Sequence, residues 1–207
     1  MEPGAILNII IVGVHATGKS AFVQRHLTGE FKEKYTPSQA SEMHNFKLHT
    51  TRGPLRFFFW ESQAVKERDY LPIAAAIIMI DGSCGRSSTP VSNYQNDIWY
   101  YFGNIPIAIC SNKLDLGSTG GKAWSISDLV EHFDISVKSF VNCEKPLLWL
   151  ASKIFEDAQL QLVPELAAYP PAKTLLSTQD RLLLAFYEQS QPFVLPRDDE
   201  WDAKSKN

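Results

Sequence analysis

The sequence predicts an α/β domain built on a six-stranded, mostly parallel sheet with helices on both faces, followed by a C-terminal helical extension. Three observations carry this. Apolar, β-branched runs alternate with helix-forming stretches along the chain, the pattern of a sheet buried on both faces. A single early hairpin signal supplies one antiparallel edge strand. Past Leu162 the alternation stops and prolines take over.

Taken in order, Ile6–Val12 (ILNIIIV) reads as a buried strand. The loop Gly13–Gly18 leads into a helix from about Lys19 to Leu27, and Phe31–Gln39 reads as irregular, with Pro37 blocking helix. Strands over Glu42–His49 and Leu55–Trp60 flank the turn Thr51-Arg52-Gly53-Pro54. Ala74–Ile80 is a further buried strand ending at Asp81, and a helix over Val91–Phe102 leads to a strand at Pro106–Cys110. Ser125–His132 is expected as a short helix and Asp134–Val137 as a short strand. Lys145–Ala158 is an amphipathic helix with Leu147, Leu148, Leu150, Ala151, Ile154 and Phe155 on or near its apolar face. Residues 1–160 are expected as the main domain. Residues 161–207 are expected as an extension with a helix near 174–189 and an acidic tail carrying Asp198, Asp199, Glu200 and Asp202. That tail reads either as a solvated end or as a segment that responds to ligand state.

Composition narrows the function classes. The 207 residues carry a formal charge of −3, which argues against bulk binding to nucleic acid or anionic membrane. Cys84, Cys110 and Cys143 are too widely spaced for a disulfide framework or a zinc site, and reduced thiols are expected. The apolar run Ala5 to Val12 is too short to span a bilayer. No cysteine follows Cys143, so no prenyl anchor is expected.

Two loops carry chemistry. Gly13-Val14-His15-Ala16-Thr17-Gly18-Lys19-Ser20 fits G-x-x-x-x-G-K-[ST] between an expected strand and helix. Such a loop turns backbone N–H groups and a helix N-terminus toward phosphates, from Gly13 through Ala21. Lys19 is placed to neutralise β- and γ-phosphates, and the Ser20 hydroxyl to ligate Mg²⁺. The second loop, Asn112-Lys113-Leu114-Asp115, follows a strand directly, at the sheet end where ligands bind in open α/β folds. The Asp115 carboxylate can accept from N1–H and the 2-amino group of guanine, whereas adenine offers neither donor there. Asn112 is expected to brace the phosphate loop and the Lys113 stem to cover one face of the base. Ser136-Val137-Lys138, after the last strand, either lines the far side of the base or is an ordinary loop.

In this order the three loops resemble the Ras-like small GTPases, and within them the Ran family of nuclear transport. The stretches that carry the finer likeness are RHLTGEF (Arg25–Phe31), Lys34-Tyr35, TRGP (Thr51–Pro54), AIIM (Ala76–Met79), NIPI (Asn104–Ile107), FDIS (Phe133–Ser136) and EKPLLWLA (Glu144–Ala151). The resemblance implies a P-loop G domain that binds GTP and GDP with Mg²⁺, a monomer of nucleus and cytoplasm with nuclear transport receptors and Ran-type regulators as partners. It also implies roles. Phe31 packs against the guanine edge, Tyr35 lies in the first switch, Ser38 takes the switch's Mg²⁺-binding position, Glu61 holds Mg²⁺ through water, and Ala64 stands where a glycine N–H meets the γ-phosphate.

The chain departs from that family in its catalytic parts. Glu61-Ser62-Gln63-Ala64-Val65 replaces the family's D-T-A-G-Q, so no glutamine stands where the attacking water is oriented. About six residues are missing before Tyr70, and His15 and Ala16 replace two glycines of the phosphate loop, His15 crowding the γ-phosphate side. Water positioning supplies much of phosphoryl-transfer catalysis, so hydrolysis is expected to be slow, and no residue is assigned a catalytic role. Asp128-Leu129-Val130-Glu131-His132 replaces the basic run of Ran, which leaves receptor and exchange-factor binding open. The competing expectation is a catalytically dead interaction module.

Overall fold

The computed structural model describes residues 5–32, 43–62, 65, 72–83, 91–117 and 127–163. All of these fall in one compact unit, Glu2–Glu165. The expected helix near 174–189, the acidic tail and Tyr35, Ser38, Gln63, Ala64 and Cys84 lie outside the described residues.

Six strands form, the first five within a few residues of where the apolar runs put them. They are β1 (Ile6–Val12), β2 (Met43–Thr50), β3 (Gly53–Ser62), β4 (Ala75–Asp81), β5 (Ile107–Asn112) and β6 (Val130–Asp134). The sheet order is β2-β3-β1-β4-β5-β6. Every neighbouring pair is parallel except β2 with β3, so the sheet is mostly parallel with one antiparallel edge strand, as expected. The hairpin is tighter than the sequence reading. Thr50 pairs with Gly53, leaving Thr51 and Arg52 as the whole turn and drawing Pro54 into β3.

Side chains divide by the two-residue period of a strand. Leu7, Ile9, Ile11, Phe57, Phe59, Ile77, Met79, Ala108 and Cys110 join one buried cluster with Phe22 and Val23 of α1 (Lys19–Thr28) and Leu147, Leu150 and Ala151 of α3 (Lys145–Ile154). The alternate residues Ile10, Val12, Ile78, Ile80, Ile107 and Ile109 are buried outside that cluster. α2 (Val91–Phe102) packs against β4 and buries Val91, Tyr94 and Ile98, none of which belongs to the α1–α3 cluster. Helices therefore cover both faces. No helix among the described residues is long and apolar enough to cross a membrane.

Two expected elements are corrected. The helix expected over Ser125–His132 gives way to β6, which starts at Val130, and the strand expected at Asp134–Val137 lies earlier and ends at Asp134. Ser127 and Val130 exchange backbone bonds of 3.2 and 3.0 Å in a tight turn, and Val130 then pairs in parallel register with Ile107. Bonding to β5 overrides the local helical spacing of Leu129, Val130 and Phe133. α3 stops at Ile154 rather than Ala158. Glu156 takes φ 52°, and the Asp157 N–H donates to Ser152 O at 2.9 Å. This is a left-handed helix stop that glycine normally signals, so a glutamate at that position hid it.

Candidate nucleotide site

The parallel strands β1, β3, β4, β5 and β6 point their C-terminal ends to one edge, and the loops that leave them there build the site. The first is the turn from β1 into α1. Thr17, buried at 1% exposure, donates from Oγ1 to Val14 O at 3.0 Å and closes the loop on itself. The Lys19 ammonium folds back to donate to Gly13 O (2.8 Å) and Val14 O (2.9 Å). Burial lowers the Lys19 pKa, and the nearby Glu61 carboxylate opposes that shift. A partly desolvated cation held beneath a ring of backbone groups is a site that gains from an anion. Val14, Gly18, Ser20 and Ala21 are half-buried, whereas His15 and Ala16 are exposed at the loop's crest.

Glu61 lies near the end of β3, 6% exposed, and its Oε2 accepts from Ser20 Oγ at 2.6 Å. β3 runs parallel to β1 with Ile11 opposite Glu61, which carries the carboxylate to the start of α1. A hydroxyl and a carboxylate in contact are the hard oxygen donors that Mg²⁺ takes, so the residues present fit that ion. His44 Nε2 lies 4.0 Å from Glu61 Oε1. The sequence reading missed His44, because β2 pairs it with Phe59 and only this register makes it the diagonal neighbour of Glu61.

The second loop follows β5. Asn112 is 4% exposed, and both ends of its amide are engaged. Nδ2 donates to Thr17 O at 2.9 Å, and Oδ1 accepts from the Val137 N–H at 3.0 Å. One side chain thus joins the phosphate loop, the β5 loop and the loop after β6. Gly18 is required by this contact, since a Cβ there would collide with Asn112 Nδ2, and its φ of 101° disfavours other residues as well. Asp115 stands exposed on a single 3-10 turn, Leu114–Leu116, and its Oδ1 accepts from Ser136 Oγ at 2.6 Å. Ser136 is 1% exposed, so a buried hydroxyl fixes the direction of an exposed carboxylate. Val137 is buried and Lys138 exposed beside it.

Lys113 takes φ 71° and sends its ammonium to Asp81 Oδ2, at the end of β4. Asp81 was legible only as a strand end. Its spacing from Ser83, an Asp-x-Ser turn pattern, was the available signal. Phe31 is half-buried against the α1–α3 cluster. The structure thus brings Gly13–Ala21, Glu61, Asn112–Asp115 and Ser136–Lys138 to one edge of the sheet, while Tyr35, Ser38 and Ala64 fall outside the described residues.

A glycine loop between a parallel strand and a helix, closed over a buried lysine, defines a phosphate-loop nucleotide-binding α/β domain. The comparison with known families agrees and is more specific. A family model described as Ras family matches residues 8–156, and the chain belongs to the Ras family of small GTPases. Proteins of this family bind guanine nucleotide with Mg²⁺ and act as nucleotide-dependent switches.

Proposed function

We propose that this protein is a Ran-like GTP/GDP switch of nucleocytoplasmic transport, working in nucleus and cytoplasm, with slow GTP hydrolysis. The observation that carries the nucleotide reading is the pair of hydrogen bonds made by the Asn112 amide, which ties the loop around Lys19 to the loops around Asp115 and Val137. A ligand bridging the two loops has a phosphate end and a base end. In this reading the backbone from Gly13 to Ala21 and Lys19 take the phosphates, Phe31 packs on the base edge, and Asp115 reads N1–H and the 2-amino group. Lys113, Val137 and Lys138 line the base. Ser20, Glu61 and Ser38 of the first switch would hold the metal side, Tyr35 lies in the same switch on the nucleotide side, and Mg²⁺ would supply neutralisation of β- and γ-phosphate charge.

The Ran-like character rests on the sequence stretches from RHLTGEF to EKPLLWLA, and the partners that follow from it are nuclear transport receptors and Ran-type regulators. Slow hydrolysis rests on Glu61-Ser62-Gln63-Ala64-Val65, where Val65 stands at the water-positioning glutamine's place and Gln63 is displaced by two, and on His15 at the loop crest. A second reading, a catalytically dead interaction module, draws support from one observation. His15 stands exposed at the crest of the phosphate loop, where an imidazole crowds the γ-phosphate side.

Titration with fluorescent mant-nucleotides is expected to give guanine a clear preference over adenine, and equal affinities end the nucleotide reading. Asp115→Asn is expected to move the preference toward xanthine, because an amide N–H can donate to C2=O where the carboxylate met the 2-amino group. Mass spectrometry of nucleotide released from native preparations separates the two readings, since bound GDP or GTP contradicts an empty pocket. A single-turnover GTP assay is expected to show slow cleavage, and a fast rate removes the argument from the missing glutamine.

A further inference from the structure

Lys113 is not free to swing in solvent. Its ammonium is paired with Asp81 Oδ2 across the gap between two strand ends, with the two side chains 31% and 25% exposed. Asp81 is itself held. Its Oδ1 accepts from the Ser83 N–H at 3.0 Å and from Ser83 Oγ at 2.6 Å. The turn that carries it is docked on the base loop, for the Gly82 N–H donates to Asn112 O at 2.7 Å. A Cβ on Gly82 would stand 2.9 Å from that same oxygen, so glycine permits the approach. Asp81 pairs with Asn112 in the β4–β5 register, one residue before Lys113.

Direction matters here. The sheet runs β1-β4-β5, so a lysine rooted at the end of β5 and anchored at the end of β4 points toward β1 and the phosphate loop. Any ligand that joins Asp115 to Lys19 must cross this span. A left-handed φ of 71° at Lys113 turns the chain so that the side chain can take this course. Burial pushes the Asp81 carboxyl up, but the bonds from Lys113 and Ser83 outweigh it and hold the group below its usual value. The Asp81 carboxylate is therefore charged at neutral pH, and a charge-assisted bond between fixed partners orients better than a solvated lysine does.

We infer that Asp81 is a positioning residue of the nucleotide site, holding the Lys113 ammonium so that the lysine stem lies along the face of the base. The inference rests on the proposed nucleotide reading and adds to it a residue on a different strand, outside the three loop motifs. It acts through Lys113 and makes no contact with the ligand itself.

Asp81→Asn is the discriminating variant, because an amide oxygen still serves Ser83 while the charge facing Lys113 is gone. Using the full chain, mant-GDP dissociation is expected to be about twofold to fivefold faster than wild type, the scale of one partly exposed ion pair. Binding of inorganic pyrophosphate, which needs only the phosphate loop, is expected to stay at the wild-type value, as is the melting temperature without nucleotide. In a Lys113→Ala background the same change is expected to add nothing, since the group it positions is already absent. Wild-type dissociation in Asp81→Asn overturns the inference, as does a full additional effect on top of Lys113→Ala, or an equal loss of pyrophosphate binding. The nucleotide reading fails differently. If the wild-type chain shows no preference for mant-GDP, or Lys113→Ala leaves its dissociation unchanged, the base loop is misassigned and the inference falls with it.

Discussion

Ala16 shows how much one residue can be asked to carry. It sits at the crest of the phosphate loop with φ 60°, a left-handed conformation in a residue with a Cβ. That conformation costs about 1–2 kcal/mol in an L-residue. Replacing it with glycine removes the strain but frees the unfolded chain, which returns about 0.4–1 kcal/mol of the gain. Ala16→Gly is therefore expected to raise stability by about 0.5 kcal/mol in urea unfolding of the nucleotide-free protein. A lower stability would mean that the Cβ makes a contact worth more than the strain. The sequence displayed the glycine pattern here because the motif is local, and it showed that Ala16 replaced a glycine. It could not show that the backbone keeps the glycine conformation. The pairs Asp81–Lys113 and His44–Glu61 were illegible for a related reason, since their members are separated in the chain and meet only through strand register.

At the scale of elements, α1 is joined to β2 and to the loop after β6 through one ring. His26 packs on Phe22, Phe46 and Phe140 with centroids 4.4, 5.2 and 5.4 Å away, and its Nδ1 meets Phe22 O at 2.8 Å. Burial lowers its pKa, against backbone contacts with Phe22 and Cys143 that favour protonation. The folded value thus lies below the unfolded value of about 6.5. Unfolded chains bind the proton first as pH falls, so this contribution to stability is intact above about pH 6.5 and is lost as pH drops toward the lowered folded value. The urea midpoint is expected to fall between pH 7.5 and 5.5, and to fall less in His26→Phe. Parallel pH profiles for the two proteins would remove His26 as the cause. Elements with a strong period were legible to within a residue or two, as α2 and β1 show. β6 was not, because residues 129–133 offer apolar spacing that suits a helix until β5 supplies a bonding edge.

For the whole molecule, the buried runs Ile6–Val12, Ala75–Asp81 and Ile107–Asn112 announced a sheet covered on both faces, but not the order of its strands. That order places β1 and β4 between the hairpin and β5. The segment that follows α3 is also tied to the hairpin. The Thr51 N–H donates to Gln161 O at 2.9 Å, the Val163 N–H donates to His49 O at 2.8 Å, and Arg52 meets Asp157 at 3.4 Å. None of this has a sequence signal, because each contact joins residues about a hundred positions apart.

The Asn112 amide has a consequence for the speed of ligand capture. Loops that must be immobilised by their ligand slow its entry and weaken it by the ordering entropy they lose. Here one buried side chain already fixes the distance between the two halves of the cleft. An arriving molecule gives up its own rotational freedom and demands little of those walls, so encounters are sorted chiefly by orientation.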